Sequence, residues 1–155
     1  MKIRDFYDST ADSYDDRHSK NYATDKMRNF EKKLVQKYDF GRTLDIGCGT
    51  GAHLPFLENA VGVDISSKML EAAKKHGSPL VQCDAEKLPF AESSFDTALC
   101  MFTTLNLINF NAAVREISRI LRPDGVAIAS ASSVWDRHDA SFAKKLFWTE
   151  SRRKN

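Results

Sequence analysis

The sequence predicts an α/β fold, a doubly wound parallel sheet of about five strands flanked by helices. Three observations predict it. Short apolar runs alternate with amphipathic segments five times along the chain, the order that builds strand–helix–strand units. A glycine-spaced turn, Gly47-Cys48-Gly49-Thr50-Gly51, follows the first run directly. The fourth run, Phe95 to Met101, is largely apolar, as expected of a strand covered on both faces. Sheets of this kind, with right-handed crossovers, bind ligands at the carboxyl ends of the strands, beside the point where strand order reverses.

The elements follow in order. Residues 1–23 are polar and aromatic, with weak helix signals. Thr24 reads as an N-cap, and Met27, Phe30, Leu34 and Tyr38 recur at helical spacing as a buried stripe. Gly41 marks a turn into the strand Thr43–Ile46. His53 to Leu57 allows a short helix, with Pro55 suited only to its first turn. Ala60–Asp64 is the second strand. Ser66 or Ser67 caps a helix through Met69, Leu70 and Ala73 that stops at Gly77. Pro79–Cys83 is the third strand, Asp84 to Ser94 a loop, and Phe95–Met101 the fourth strand. Asn109 or Asn111 opens a helix with Val114, Ile117, Ile120 and Leu121 inward. Arg122-Pro123-Asp124-Gly125 ends it, and Val126–Ala129 is the fifth strand. A last amphipathic segment carries Phe142, Leu146 and Phe147.

Composition bounds the function. The 155 residues, 42% hydrophobic and 28% charged, fit one globular domain that needs no disulfides. A net charge of +2 gives no footprint for nucleic acid. Lys144, Lys145, Arg152, Arg153 and Lys154 read as a solvated helix end. Cys48, Cys83 and Cys100 have no metal-ligand spacing and fit a reducing compartment, so no metal is expected. The charged start of the chain does not read as a signal peptide, and no stretch approaches the roughly 20 apolar residues of a membrane span. The expected location is cytoplasmic.

The glycine turn admits positive φ and close approach of the backbone to a ligand. Gly47-x-Gly49-x-x-Ala52 also fits a loose dinucleotide fingerprint. Asp64, ending the second strand, can accept ribose hydroxyls in either case. Asp45 discriminates. A carboxylate beside the turn would repel a pyrophosphate and would welcome an ammonium or a sulfonium. Asp84, ending the third strand, can accept the adenine amino group.

These runs resemble the class I S-adenosylmethionine-dependent methyltransferases, whose fold is Rossmann-like, and within them the ubiquinone/menaquinone-biosynthesis-like (methyltransferase type 11) group. The matching stretches are Leu44 to Gly51, Gly62-Val63-Asp64-Ile65-Ser66, Cys83 to Phe90, Phe95-Asp96 and Leu121 to Gly125, in the family's order. The resemblance implies S-adenosylmethionine as cofactor, S-adenosylhomocysteine as product and transfer of methyl to a small-molecule acceptor. Under it, Gly47, Cys48 and Gly49 contact the methionine part in a loop that Asp45 and Gly51 flank. Asp64 holds the ribose, Ile65 meets the adenine, and Asp84 and Ala85 read its edge. Cys100 and Met101 flank the ligand, and Tyr14 closes over the sulfonium, where an aromatic face attracts a cation. Residues 1–40 become an N-terminal helical lid, 41–134 the cofactor-binding core and 135–155 a C-terminal helical segment. No catalytic base stands out; His53 reads as a first-turn surface histidine or a contact for the cofactor carboxylate, and His138 as incidental. Trp135 and Trp148 read as packing groups, and Asp96 as structural.

The family usually adds two further strands after the fifth. Without them the apolar edge of Val126–Ala129 invites pairing, which predicts a homodimer, a partner chain or a C-terminal helix over that edge. The competing readings are a cofactor-binding subunit or truncated module without independent turnover and an NAD-dependent oxidoreductase.

Overall fold

A computed structural model describes residues 2–19, 22–38, 41–102, 104–130 and 151–152. Two helices lead, α1 (Ile3–Ser19) and α2 (Tyr22–Tyr38). Then come β1 (Thr43–Ile46), a 3-10 turn at Leu54–Phe56, β2 (Ala60–Asp64) and α3 (Ser67–Ala73). β3 (Leu80–Gln82), β4 (Phe95–Cys100), the short α4 (Thr104–Leu107), α5 (Phe110–Ile120) and β5 (Leu121–Ala129) follow. Residues Ser151–Arg152 form β6.

The sheet runs β3-β2-β1-β4-β5-β6. Its first five strands are parallel, as the alternating pattern predicts. Strand order reverses between β1 and β4. Successive side chains on a strand point to opposite faces. Leu44, Ile46, Ala98 and Cys100 therefore share one face, packed with Ile117 and Ile120 of α5. Leu99, Met101, Val126 and Ile128 share the other, packed with Val35 of α2 and Ala73 of α3. Asp45, between Leu44 and Ile46, thus points toward the α2 side.

Local chemistry explains the ends of the elements. The Ser66 hydroxyl caps α3 by accepting the Met69 N–H at 3.1 Å, and Gly77 stops that segment in the left-handed region. Asn109 caps α5 through the Ala112 N–H.

Four expectations shift. Thr24 lies inside α2 rather than at its cap. The inward face of α2 centres on Glu31 and Val35; of the expected stripe, Leu34 and Tyr38 pack half-buried against the core, while Phe30 is 45% exposed. Residue 113, not Val114, turns inward on α5, leaving Val114 exposed. The edge of β5 is met by this chain itself: β6 pairs antiparallel with Val126 and Ala127. Ser151 and Arg152 are therefore strand where a helical segment was expected. His138, Trp135, Trp148 and the segment Phe142 to Phe147 lie outside the described residues.

Candidate cofactor site

A cavity opens at the carboxyl ends of β1, β2, β3 and β4, where the strand order predicts a ligand. Gly47, Cys48 and Gly49 line it after β1, Asp64 and Ile65 after β2, Asp84 and Ala85 after β3, and Met101 after β4. Asp45 forms part of its floor and Tyr14 part of its roof. Of the residues assigned from sequence, Gly51 and Cys100 do not reach the cavity. Cys100 sits 1% exposed in the apolar core against α5.

The three glycines do different work. All have positive φ. A Cβ on Gly47 would strike the Thr104 side chain, and one on Gly51 would meet His76 and Leu54. Those two are needed for chain packing. A Cβ on Gly49 would meet nothing within 4 Å, and Gly49 faces the cavity. Its N–H donates to Asp64 Oδ2 at 2.9 Å, while Asp64 Oδ1 accepts the Ser66 N–H at 2.8 Å. An ionised carboxylate has about four lone-pair sites, so Asp64 keeps acceptors for a ligand. Burial raises its pKa despite these backbone donors. Asp84 closes its own turn by accepting the Glu86 N–H at 2.9 Å.

The floor is charged and closed. Asp45 and Glu31 are each 1% exposed, and His53 is 6% exposed between them. His53 Nδ1 lies 3.9 Å from Asp45 Oδ2, and Nε2 lies 3.7 Å from Glu31 Oε2. Burial pushes the Asp45 carboxyl up to about 6, against the nearby imidazole, with Asp64 and Glu31 adding to the rise. Burial would lower the His53 pKa, but its pairing with Glu31 and the charge of Asp45 outweigh that and raise it. Among the described residues, Arg28 Nε, Glu31 Oε2 and Asp45 Oδ2 are buried side-chain atoms with no hydrogen-bond partner. Buried polar atoms are nearly always paired. Arg28 and Asp45, of opposite charge, both line the cavity.

The roof is α1. Tyr7 and Tyr14 line the cavity with ring centroids 6.3 Å apart. Two carboxylates fasten this helix. Asp8 Oδ1 accepts the Ser66 hydroxyl at 2.6 Å and the Lys68 N–H at 3.3 Å. Asp15 accepts the Thr50 hydroxyl at 2.6 Å and pairs with Lys75 at 2.9 Å. Helix α1 is therefore tied to the segments that follow Asp64 and Gly49. Ile3, Phe102, Leu107 and Ile108 add an apolar lining, and Thr104, next to Phe102 in the lining, packs against Gly47 of the glycine loop.

Arg28, Glu31 and Phe102 escaped sequence reasoning. Arg28, Glu31 and Val35 sit at i, i+3 and i+7, one helical face, and that spacing was the available signal. Two charges on it made it look like the solvent side. Phe102 carries no motif; its φ of 60° is visible only in three dimensions.

The comparisons agree with this geometry. Residues 44–129 match the family model described as a methyltransferase domain. An uncharacterised protein of Methanocaldococcus jannaschii is 44% identical over 88% of this chain and 54% of its own length. The ubiquinone/menaquinone biosynthesis C-methyltransferase UbiE of Geotalea uraniireducens is 32% identical over 82% of this chain and 61% of its own length. The crystal structure of a SAM-dependent methyltransferase from Thermotoga maritima superposes with a TM-score of 0.57 at 33% identity, covering 66% of this chain and 52% of that one. The chain thus spans somewhat over half the length of these relatives. Motif order, sheet order and the matched domain together place this chain in the methyltransferase-domain family, in its class I, S-adenosylmethionine-dependent, ubiquinone/menaquinone-biosynthesis-like group.

Proposed function

We propose that this cavity holds S-adenosylmethionine and that the chain transfers its methyl group to a small-molecule acceptor. One observation carries the reading. A buried carboxylate oxygen and a buried guanidinium nitrogen, Asp45 Oδ2 and Arg28 Nε, lack hydrogen-bond partners, and both residues line one cavity. The zwitterionic amino-acid end of the cofactor would satisfy both, its ammonium at Asp45 and its carboxylate at Arg28. The pyrophosphate of a dinucleotide would be repelled by Asp45. The residues therefore fit the sulfonium cofactor and disfavour NAD.

Asp64 would hold the ribose hydroxyls with its remaining lone pairs. Ile65 would meet the adenine face, with Asp84 and Ala85 at its edge. The Tyr14 ring, fixed in the roof by the ties of α1, would face the sulfonium. Bound there, S-adenosylmethionine would supply an electrophilic methyl group for in-line transfer to the acceptor, with S-adenosylhomocysteine as the leaving product. The leaving thioether needs no proton, so the protein's task is alignment and exclusion of water. Ile3, Phe102, Leu107 and Ile108 would offer the acceptor apolar surface. The three cysteines are all free, in keeping with a reducing, cytoplasmic setting. Among the described residues, no helix is long and apolar enough to cross a membrane.

Methyl transfer is tested by incubating the full chain with cofactor labelled in its methyl group and a panel of small apolar acceptors. Labelled product supports the reading. Tight binding of S-adenosylhomocysteine without transfer to any acceptor would leave a binding subunit instead.

A further inference from the structure

The floor of the cavity contains a connected set of polar groups that the binding of the cofactor does not itself require. Glu31 stands at its centre. Its Oε1 accepts the Ser130 hydroxyl at 3.0 Å, and Ser130 Oγ in turn accepts the Phe102 N–H at 2.7 Å. Its Oε2 lies 3.7 Å from the His53 ring, whose other nitrogen faces Asp45 at 3.9 Å. The set spans α2, the ends of β4 and β5, the loop after β1 and β1 itself.

Each link constrains a cavity wall. Phe102 adopts a φ of 60°, a region that bulky residues avoid. Such a conformation persists only where surrounding structure determines it. The Ser130 hydroxyl on the Phe102 N–H is such a determinant, and that hydroxyl is oriented by Glu31. The Phe102 ring then stacks on His53, with centroids 6.0 Å apart and planes 29° apart. His53, shielded by this ring, faces Asp45, the acid assigned to the cofactor's ammonium. A carboxylate 1% exposed is costly unless fully paired, and an apolar side chain would fill its place more cheaply. Clamping α2 to the sheet needs no charge, as Val35 on the same helix demonstrates by being fully buried.

We infer that Glu31 is a positioning residue that sets both halves of the site, holding the Phe102 turn of the acceptor wall through Ser130 and the His53 ring beside Asp45. The assignment rests on the reading of the cavity as the cofactor site. Glu31 acts through its charge as well as its shape. The charged and titratable groups facing His53 are Arg28 and Glu31 from α2 and Asp45 from β1, and Asp64 at the end of β2 acts on Asp45. With the Glu31 charge removed, Asp45 still raises the affinity of His53 for its proton.

Two variants of the full chain test this, with folding checked by circular dichroism. Glu31→Gln keeps the shape and the acceptor for Ser130. It should lower the His53 titration midpoint, followed by NMR on histidine-labelled protein, by about one unit. Ser130→Ala should leave that midpoint near its original place and weaken S-adenosylhomocysteine binding several-fold by calorimetry, because it frees the Phe102 turn. An unmoved His53 midpoint in Glu31→Gln overturns the inference, as does unchanged affinity in Ser130→Ala. Should Glu31→Gln fail to fold, the Ser130→Ala affinity alone decides. The NMR titration needs no ligand. If the original chain fails to bind S-adenosylhomocysteine while the midpoint still moves, the cofactor reading falls and the role of Glu31 toward His53 stands.

Discussion

Asp64 uses one lone pair of each carboxylate oxygen on the backbone, on Gly49 N–H and on Ser66 N–H. It pins the glycine loop and keeps lone pairs for the ribose role proposed for it. Asp64→Ala is expected to weaken S-adenosylhomocysteine binding by about 1.5–3 kcal/mol, the range for hydrogen bonds to a charged group. Calorimetry checks it, and an unchanged dissociation constant would remove the ribose role. Asp45 acts differently, because it titrates near working pH. Held up at about 6 by burial, it loses its charge as pH falls through that value. Cofactor affinity should therefore fall steadily below about pH 6 and level off above it. The sign for stability is opposite. A carboxyl whose pKa is raised from 3.8 to about 6 favours the folded state below 3.8 and loses that contribution as pH rises through 6. The free protein should thus gain less thermal stability than the complex when pH is raised from 5 to 8, which differential scanning fluorimetry reads directly. Equal gains for both would contradict the pairing of Asp45 with the ammonium. At this scale the place of the three aspartates in the cavity lining was legible, because Asp45 lies in the strand before the glycine turn, Asp64 ends the second strand and Asp84 lies just past the third. Arg28 and Glu31 were not, because polar residues on an amphipathic helix are read as its wet face.

At the scale of elements, α1 shows how a helix with weak local signals is held in place. Its long-range bonds come from carboxylates: Asp8 to the cap of α3, Asp15 to Thr50 and Lys75. Helices in proteins draw most of their stability from such tertiary contacts rather than from propensity. The pKa of Asp8 is lowered chiefly by its hydrogen bond from Ser66. Asp15 is lowered too, its bonds from Thr50 and Lys75 outweighing burial. Both ties therefore stay charged where Asp45 titrates, and the affinity loss near pH 6 belongs to the floor and not to the lid. The double substitution Asp8→Ala, Asp15→Ala should speed S-adenosylhomocysteine dissociation several-fold in stopped-flow displacement and barely alter the fold. An unchanged off-rate would mean that α1 does not gate the cavity. The caps Ser66 and Asn109 and the stop at Gly77 were readable because capping is local chemistry. The orientation of α2 was legible only in part: Leu34 and Tyr38 do pack on the core, but Glu31 takes the buried place expected of Phe30, because the inward face meets polar groups.

Across the whole molecule, the parallel order of β1 to β5 followed from the alternation of strands and helices, and the cavity lies where that order reverses. The fate of the β5 edge did not follow. An exposed apolar edge predicts association, yet β6 supplies an antiparallel neighbour from the same chain at Val126 and Ala127. A two-residue strand has no period to detect, so no sequence pattern announces it. Removing residues 151–155 should uncover that edge and increase self-association in sedimentation velocity at micromolar concentration. Sedimentation identical to the full chain would show that β6 does not protect it. The central claim is that a buried acid and base of opposite charge select the zwitterionic sulfonium cofactor over a dinucleotide. Calorimetry of the full chain at pH 7.5 with S-adenosylhomocysteine, followed by competition with NAD, tests it most directly. The account predicts one-to-one binding of S-adenosylhomocysteine that NAD does not displace. Absence of binding, or displacement by NAD at comparable concentration, would contradict it.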